Sequence, residues 1–179
     1  LVNPGDEVIV FDPCFVMYDA LAAVAGARVV RVSSYPDFRV DLNRVAEAIT
    51  PRTKVIVFNS PANPTGTALS RQELAALAAE VRSRNGYLLV DEIYHGLVYE
   101  GSAPSVLEID PDAFVINSFS KYFGMTGWRL GWLVAPEAAV IEMEKLAQNF
   151  FISMSTMAQY AALASFEPRT REILEQRRE

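Results

Sequence analysis

The sequence predicts a three-layer α/β/α fold on a mostly parallel sheet whose last strand runs antiparallel. Three observations carry that prediction. Short apolar runs rich in β-branched residues alternate with longer stretches of helical periodicity, the pattern of a parallel sheet covered by helices on both faces. A chain of 179 residues, 51% of them apolar, can bury one sizeable core with little left for a second. The link from Lys121 through Gly124 and Gly127 to the final apolar run leaves no room for the dozen or so residues of a helical crossover, so that run must turn back.

Taken in order, the strand candidates are Glu7 to Phe11, Arg28 to Val32, Lys54 to Asn59, Tyr87 to Val90, Ala113 to Asn117 and Leu130 to Val134. Helical spacing fills Val16 to Ala25, Leu42 to Ala48, Arg71 to Arg84 and Ala138 to Phe151. Ser70 before Arg71-Gln72-Glu73 reads as a capping box, in which hydroxyl and carboxylate satisfy each other's backbone amides. Asn85-Gly86 closes the same helix, with Gly86 expected to adopt the left-handed conformation of a C-terminal cap. The stretch Ile152 to Met157 looks like a bend before a last helix from Gln159 onward, dividing residues 1–151 from residues 152–179. Because the chain opens Leu1-Val2-Asn3 without an initiator Met and stops at Glu179 without a cap, it reads as an excerpt of a longer one.

Charge and composition exclude several functions. The net charge of −6, with no basic stripe, argues against nucleic acid or an anionic membrane as partner. No run approaches the roughly 18 apolar residues of a membrane span, and no signal sequence opens the chain. A single cysteine, Cys14, excludes an internal disulfide framework and a cysteine-rich metal site, and suits a reducing compartment, with the cytoplasm as default. No metal site is expected.

Ligands of open parallel sheets bind beyond the carboxyl ends of the strands. There the sequence is polar and specific. Asp12-Pro13-Cys14-Phe15 follows the first strand, Asn59-Ser60-Pro61-Ala62-Asn63-Pro64-Thr65-Gly66 the third, Asp91-Glu92-Ile93-Tyr94 the fourth and Ser118-Phe119-Ser120-Lys121 the fifth. Burial after a strand would favour the neutral amine of Lys121, a nucleophile toward carbonyls. Asp91, at a neighbouring strand end, supplies a fixed negative charge for a cationic ring nitrogen. Together they suggest a carbonyl cofactor.

The segments NSPANPTG, DEIYHG and SFSKYFGMTGWRLGW resemble those of class I and II aminotransferases, pyridoxal 5′-phosphate (PLP) enzymes of fold type I. The most specific is Ser118-x-Ser120-Lys121 followed eight residues later by Arg129. The resemblance runs over nearly the whole chain but covers mainly the large cofactor domain of a family member. It implies that Lys121 carries the cofactor as a Schiff base and later moves the proton between substrate and cofactor. Asp91 would pair with the pyridine nitrogen, while Tyr94 and Asn63 would bond the phenolic oxygen. Arg129, Ser118 and Ser120 would hold the phosphate, and Phe15 would stack on the ring. The substrates implied are an amino acid and a 2-oxo acid, and the partner a second copy of the chain, with Ser153 to Thr156 facing it. The resemblance also implies cis bonds at Asp12-Pro13 and Asn63-Pro64.

Several of these residues have plain structural readings. Asp91 alone could be a turn acid and Asn63-Pro64-Thr65-Gly66 an ordinary turn. Phe15 could simply pack, His95 reads as structural, and Met143, Met154 and Met157 as helix packing. A carbon–sulfur lyase of the same fold, or an aminotransferase-like sensor attached to a DNA-binding module, shares the cofactor site. A nicotinamide-binding domain fails for want of a Gly-x-Gly-x-x-Gly turn. The family's glycine-rich phosphate loop and its carboxylate-binding arginine lie outside these residues, so the 179 residues alone are expected not to turn over a substrate.

Overall fold

The computed structural model describes residues 1–178. Six strands, β1 (Glu7–Asp12), β2 (Arg28–Ser33), β3 (Thr53–Asn59), β4 (Tyr87–Asp91), β5 (Phe114–Ser118) and β6 (Gly131–Val134), form one sheet in the order β2-β1-β3-β4-β5-β6. The first five are parallel, and β6 runs antiparallel to β5, with Ser118 opposite Gly131 and Val115 opposite Val134. The helices are α1 (Met17–Val24), α2 (Leu42–Ala48), α3 (Arg71–Ser83), α4 (Glu137–Phe150), α5 (Thr156–Ala164) and α6 (Pro168–Arg178), with single 3-10 turns at Val106–Glu108 and Thr126–Trp128. The predicted fold class is the one observed. Among the described residues no helix is long and apolar enough to cross a membrane.

Alternation along the strands sorts the core into two layers. Ile9, Phe11, Ile56, Phe58, Leu88 and Val90 pack with Val45 of α2 and with Leu74, Leu77 and Val81 of α3. Val8, Val10, Val55 and Val57 face Ala22 of α1 on the other side. A third cluster joins Ala158 and Ala162 of α5 to Phe119, Met125 and Leu130, and so braces the segment that carries Lys121. Both central strands are therefore fixed from two sides, and their carboxyl ends have little freedom.

Three local expectations need correction. The cap of α3 is the capping box foreseen at Ser70 and Glu73, but at the other end Asn85, with φ +54°, takes the left-handed conformation, not Gly86. Asparagine tolerates that region. The amide of Gly86 then donates to the Val81 carbonyl at 3.1 Å. The single last helix from Gln159 is two: α5 starts earlier, at Thr156, and the break falls before Pro168, whose ring and missing N–H fit only a first helical position. Of the three methionines, Met154 packs in the third cluster, whereas Met157 is 71% exposed. The bonds Asp12-Pro13 and Asn63-Pro64 are cis, as are Tyr35-Pro36 and Ser60-Pro61.

Candidate active site

The carboxyl ends of β1, β3, β4 and β5 open on one cavity of about 280 Å³, near the lower end of the range for small-molecule sites. All eight residues singled out from the sequence line it: Phe15, Asn63, Asp91, Tyr94, Ser118, Ser120, Lys121 and Arg129. A larger hollow of about 630 Å³ shares Asn63 and Tyr94 with it, but its remaining lining is largely apolar and holds no amine. The smaller cavity is where the ionisable groups meet.

Asp91 closes β4 and is buried. Its Oδ2 accepts the Tyr18 hydroxyl at 2.8 Å and its Oδ1 accepts the Ile93 amide at 3.1 Å. Burial pushes its carboxyl above the ordinary carboxylate range, outweighing those two bonds and the nearby charge of Lys121. Tyr18 moves the same way, because burial and the Asp91 charge both oppose loss of its proton. The phenol therefore stays a donor throughout the working pH range.

Asn59 fastens the next wall. Its Nδ2 donates to the Asp91 carbonyl at 2.7 Å, and its Oδ1 accepts the Asn63 amide at 2.6 Å, so the turn bearing Asn63 is tied to the end of β4. Ser60 Oγ accepts the Leu69 amide and anchors the far side of that turn. Phe15 stands at the mouth, 39% exposed, its ring edge-on to Tyr18 at 5.8 Å.

The opposite wall begins at the end of β5. Ser118 Oγ accepts the Ser120 amide at 3.0 Å and lies 2.9 Å from Ser120 Oγ and 3.0 Å from the Leu130 carbonyl. Thr126 Oγ1 donates to the Ser120 carbonyl at 2.6 Å, and Arg129 Nη1 to the Thr126 carbonyl at 3.2 Å. Arg129 itself has φ +54°, which turns the chain sharply into β6. Lys121 Nζ stands 5.6 Å from the Tyr94 ring centroid. The lysine side chain is exposed, so the burial expected of it is not supplied by the described residues. His95 lies outside this lining, 3.4 Å through Nδ1 from Glu92 Oε2.

Sequence reasoning missed Tyr18, Asn59 and Thr126. Tyr18 reads as part of an amphipathic helix, and nothing local marks a bond to a residue far along the chain. Asn59 did carry a signal, since an asparagine ending a buried apolar strand needs a polar partner.

The arrangement holds an amine, a buried carboxylate and a guanidinium flanked by two hydroxyls, which can bind a carbonyl compound bearing an anionic group. The family described as aminotransferase class I and II matches residues 1–179. The chain is 41% identical over 174 residues to an aspartate aminotransferase of Sulfolobus acidocaldarius, covering 93% of this chain and 43% of that protein. It is also 41% identical over 177 residues to a (5-formylfuran-3-yl)methyl phosphate transaminase of Methanocaldococcus jannaschii, covering 97% of this chain and 45% of that one. The solved structure of an aspartate aminotransferase from Thermus thermophilus with maleate matches at a TM-score of 0.94 and 39% identity, over 99% of this chain and 48% of the other. The chain thus spans a little under half the length of the curated relatives it matches. With motif, sheet order and sequence in agreement, it belongs to the aminotransferase class I and II family.

Proposed function

We propose that this chain carries the cofactor site of a PLP-dependent aminotransferase, which exchanges amino and oxo groups between an amino acid and a 2-oxo acid. The observation that carries the reading is the meeting, in one cavity, of the Lys121 amine and the buried Asp91 carboxylate with Arg129, Ser118 and Ser120. That donor set fits PLP: an amine for its aldehyde, an anion for its ring nitrogen, and a cation with hydroxyls for its phosphate. When bound, PLP supplies an aldehyde for the amine and a ring that withdraws electrons from the carbon losing its proton.

In this reading Lys121 would hold the cofactor's aldehyde through Nζ and, as a free amine, would serve as the base that moves the proton at the substrate Cα. Asp91 keeps a proton on the ring nitrogen. Its orientation is set by Tyr18 and the Ile93 amide, which each occupy one direction on its two oxygens. Arg129 offers a planar, permanently charged fork to the phosphate, and Ser118 and Ser120 offer hydroxyls. Tyr94 and Asn63 would hydrogen-bond the phenolic oxygen, and Phe15 would offer an apolar ring face. A second copy of the chain belongs to the same proposal, supported by the apolar side chains that α4 leaves exposed at Ile141, Leu146 and Phe150. The free, half-buried Cys14 suits a reducing compartment such as the cytoplasm.

The two relatives named above act on different compounds by their names, so the proposal is made for the reaction class. It is tested with the complete protein, PLP and a panel of amino acids and 2-oxo acids. Amino exchange with at least one pair, abolished in Lys121→Ala, is expected. Release of ammonia without an oxo-acid acceptor would assign the site to elimination instead.

A further inference from the structure

Helix α6 lies outside the cavity yet touches both turns that carry its facing side chains. Tyr122, next to Lys121, donates its hydroxyl to Glu175 Oε1, and that bond raises the phenol's pKa. Glu175 Oε2 pairs with Arg178 Nη2 at 3.0 Å. Arg178 Nη1 donates to the carbonyl of Gly96, two residues after Tyr94, at 3.3 Å. The circuit closes on itself, because the Tyr122 ring lies against Gly96 so closely that a Cβ there would sit 2.7 Å from the ring carbons. Gly96 also has φ +91°, a conformation glycine adopts readily.

We propose that Glu175, acting with Tyr122 and Arg178, is a positioning residue: it holds the Lys121 turn against the Tyr94 turn, so the seating of α6 sets how these two side chains face each other. The functional meaning rests on the proposed role of Lys121 and Tyr94; the mechanical coupling does not. Docking of α6 has its own anchor in the buried Leu174. Glu175 and Arg178 side chains remain 47% and 37% exposed, where an ion pair adds little to stability. What the polar circuit adds is geometry, since it joins two turns that meet at a glycine.

The test is amide hydrogen exchange on the whole chain without cofactor, comparing Glu175→Ala, Tyr122→Phe, the double variant and Glu175→Gln with wild type. The reporters are the Leu97 amide, which donates to the Tyr94 carbonyl, and the Gly124 amide, which donates to the Lys121 carbonyl. Both single alanine or phenylalanine variants should speed exchange at both reporters by roughly three- to tenfold, the yield of one hydrogen bond. The double variant should add nothing further, and Glu175→Gln, which keeps an acceptor for Tyr122, should recover most of the protection. Acceleration confined to α6, or none at Leu97 and Gly124, overturns the proposal. A parallel PLP titration keeps the two readings separate: failure of the wild type to take up PLP removes the proposed function, while the exchange rates still judge the coupling.

Discussion

Tyr18 donates its hydroxyl to Oδ2 of Asp91 at 2.8 Å, so the carboxylate in the cavity is held from a helix 73 residues earlier in the chain. The bond favours the charged carboxylate against the burial that opposes it. Tyr18→Phe removes only that hydroxyl. The Asp91 carboxyl should then titrate at higher pH than in the wild type, stability should fall by about 1 kcal/mol, and PLP affinity should drop. Carboxyl-resolved NMR titration reads the first effect, and an unchanged Asp91 midpoint would refute this account of the bond.

Glu7 is a buried carboxylate at the other end of the sheet. Thr50 and Thr53 hydroxyls donate to its Oε2, and Arg28 and Arg52 pair with its Oε1. Led by the bonds from Thr50 and Arg28, these partners lower its pKa to about 2. A carboxyl depressed by folding stabilises the fold above its unfolded-state pKa of roughly 4.3 and loses that contribution as pH falls toward 2. Glu7→Gln should therefore cost about 2 kcal/mol at neutral pH. The gap from wild type should shrink between about pH 4.5 and pH 2, as denaturant melts across that range would record. A gap independent of pH would contradict the network.

The capping box of α3 gives a cleaner energetic test. Ser70 N donates to Glu73 Oε2 at 2.8 Å while Ser70 Oγ accepts the Glu73 amide at 3.2 Å. Ser70→Ala should destabilise by about 1 kcal/mol, whereas Ser70→Gly should cost only a few tenths. Equal losses in the two variants would mean that the cap is not what starts this helix.

How far the sequence could be read depended on the range of the interactions. The strands, the capping box and the antiparallel return of β6 follow from local periodicity, two side chains three residues apart and a short link, and each was legible. The eight cavity residues were legible because motif spacing fixes them to strand ends. Tyr18 was not, since it acts through a partner that only the parallel packing of β1, β3 and β4 brings near, and Asn59 showed only its need for a polar partner, not which one. Trp132, Leu133 and Val134 of β6 lie 37–44% exposed at the sheet edge.

At Gly131, β6 has no room for a side chain against β5. An added Cβ would stand 2.7 Å from the Asn117 carbonyl oxygen, a backbone atom that cannot step aside as a side-chain end can. Gly131→Ala should cost about 1–3 kcal/mol. It should also disturb the neighbouring Ser118 and Arg129, and so weaken PLP binding more than Ser70→Ala does. A loss of stability with PLP affinity intact would separate β6 from the phosphate end of the site.

Attachment of the cofactor to Lys121 is the core of the proposed function. It is tested by incubating the protein with PLP, reducing with borohydride and locating the added mass by peptide mapping. The chain offers an internal control in its two other lysines, Lys54 and Lys145. The prediction is one stable adduct, on Lys121, lost in Lys121→Ala and reduced in Arg129→Gln. An adduct on Lys54 or Lys145 with Lys121 unmodified would contradict it.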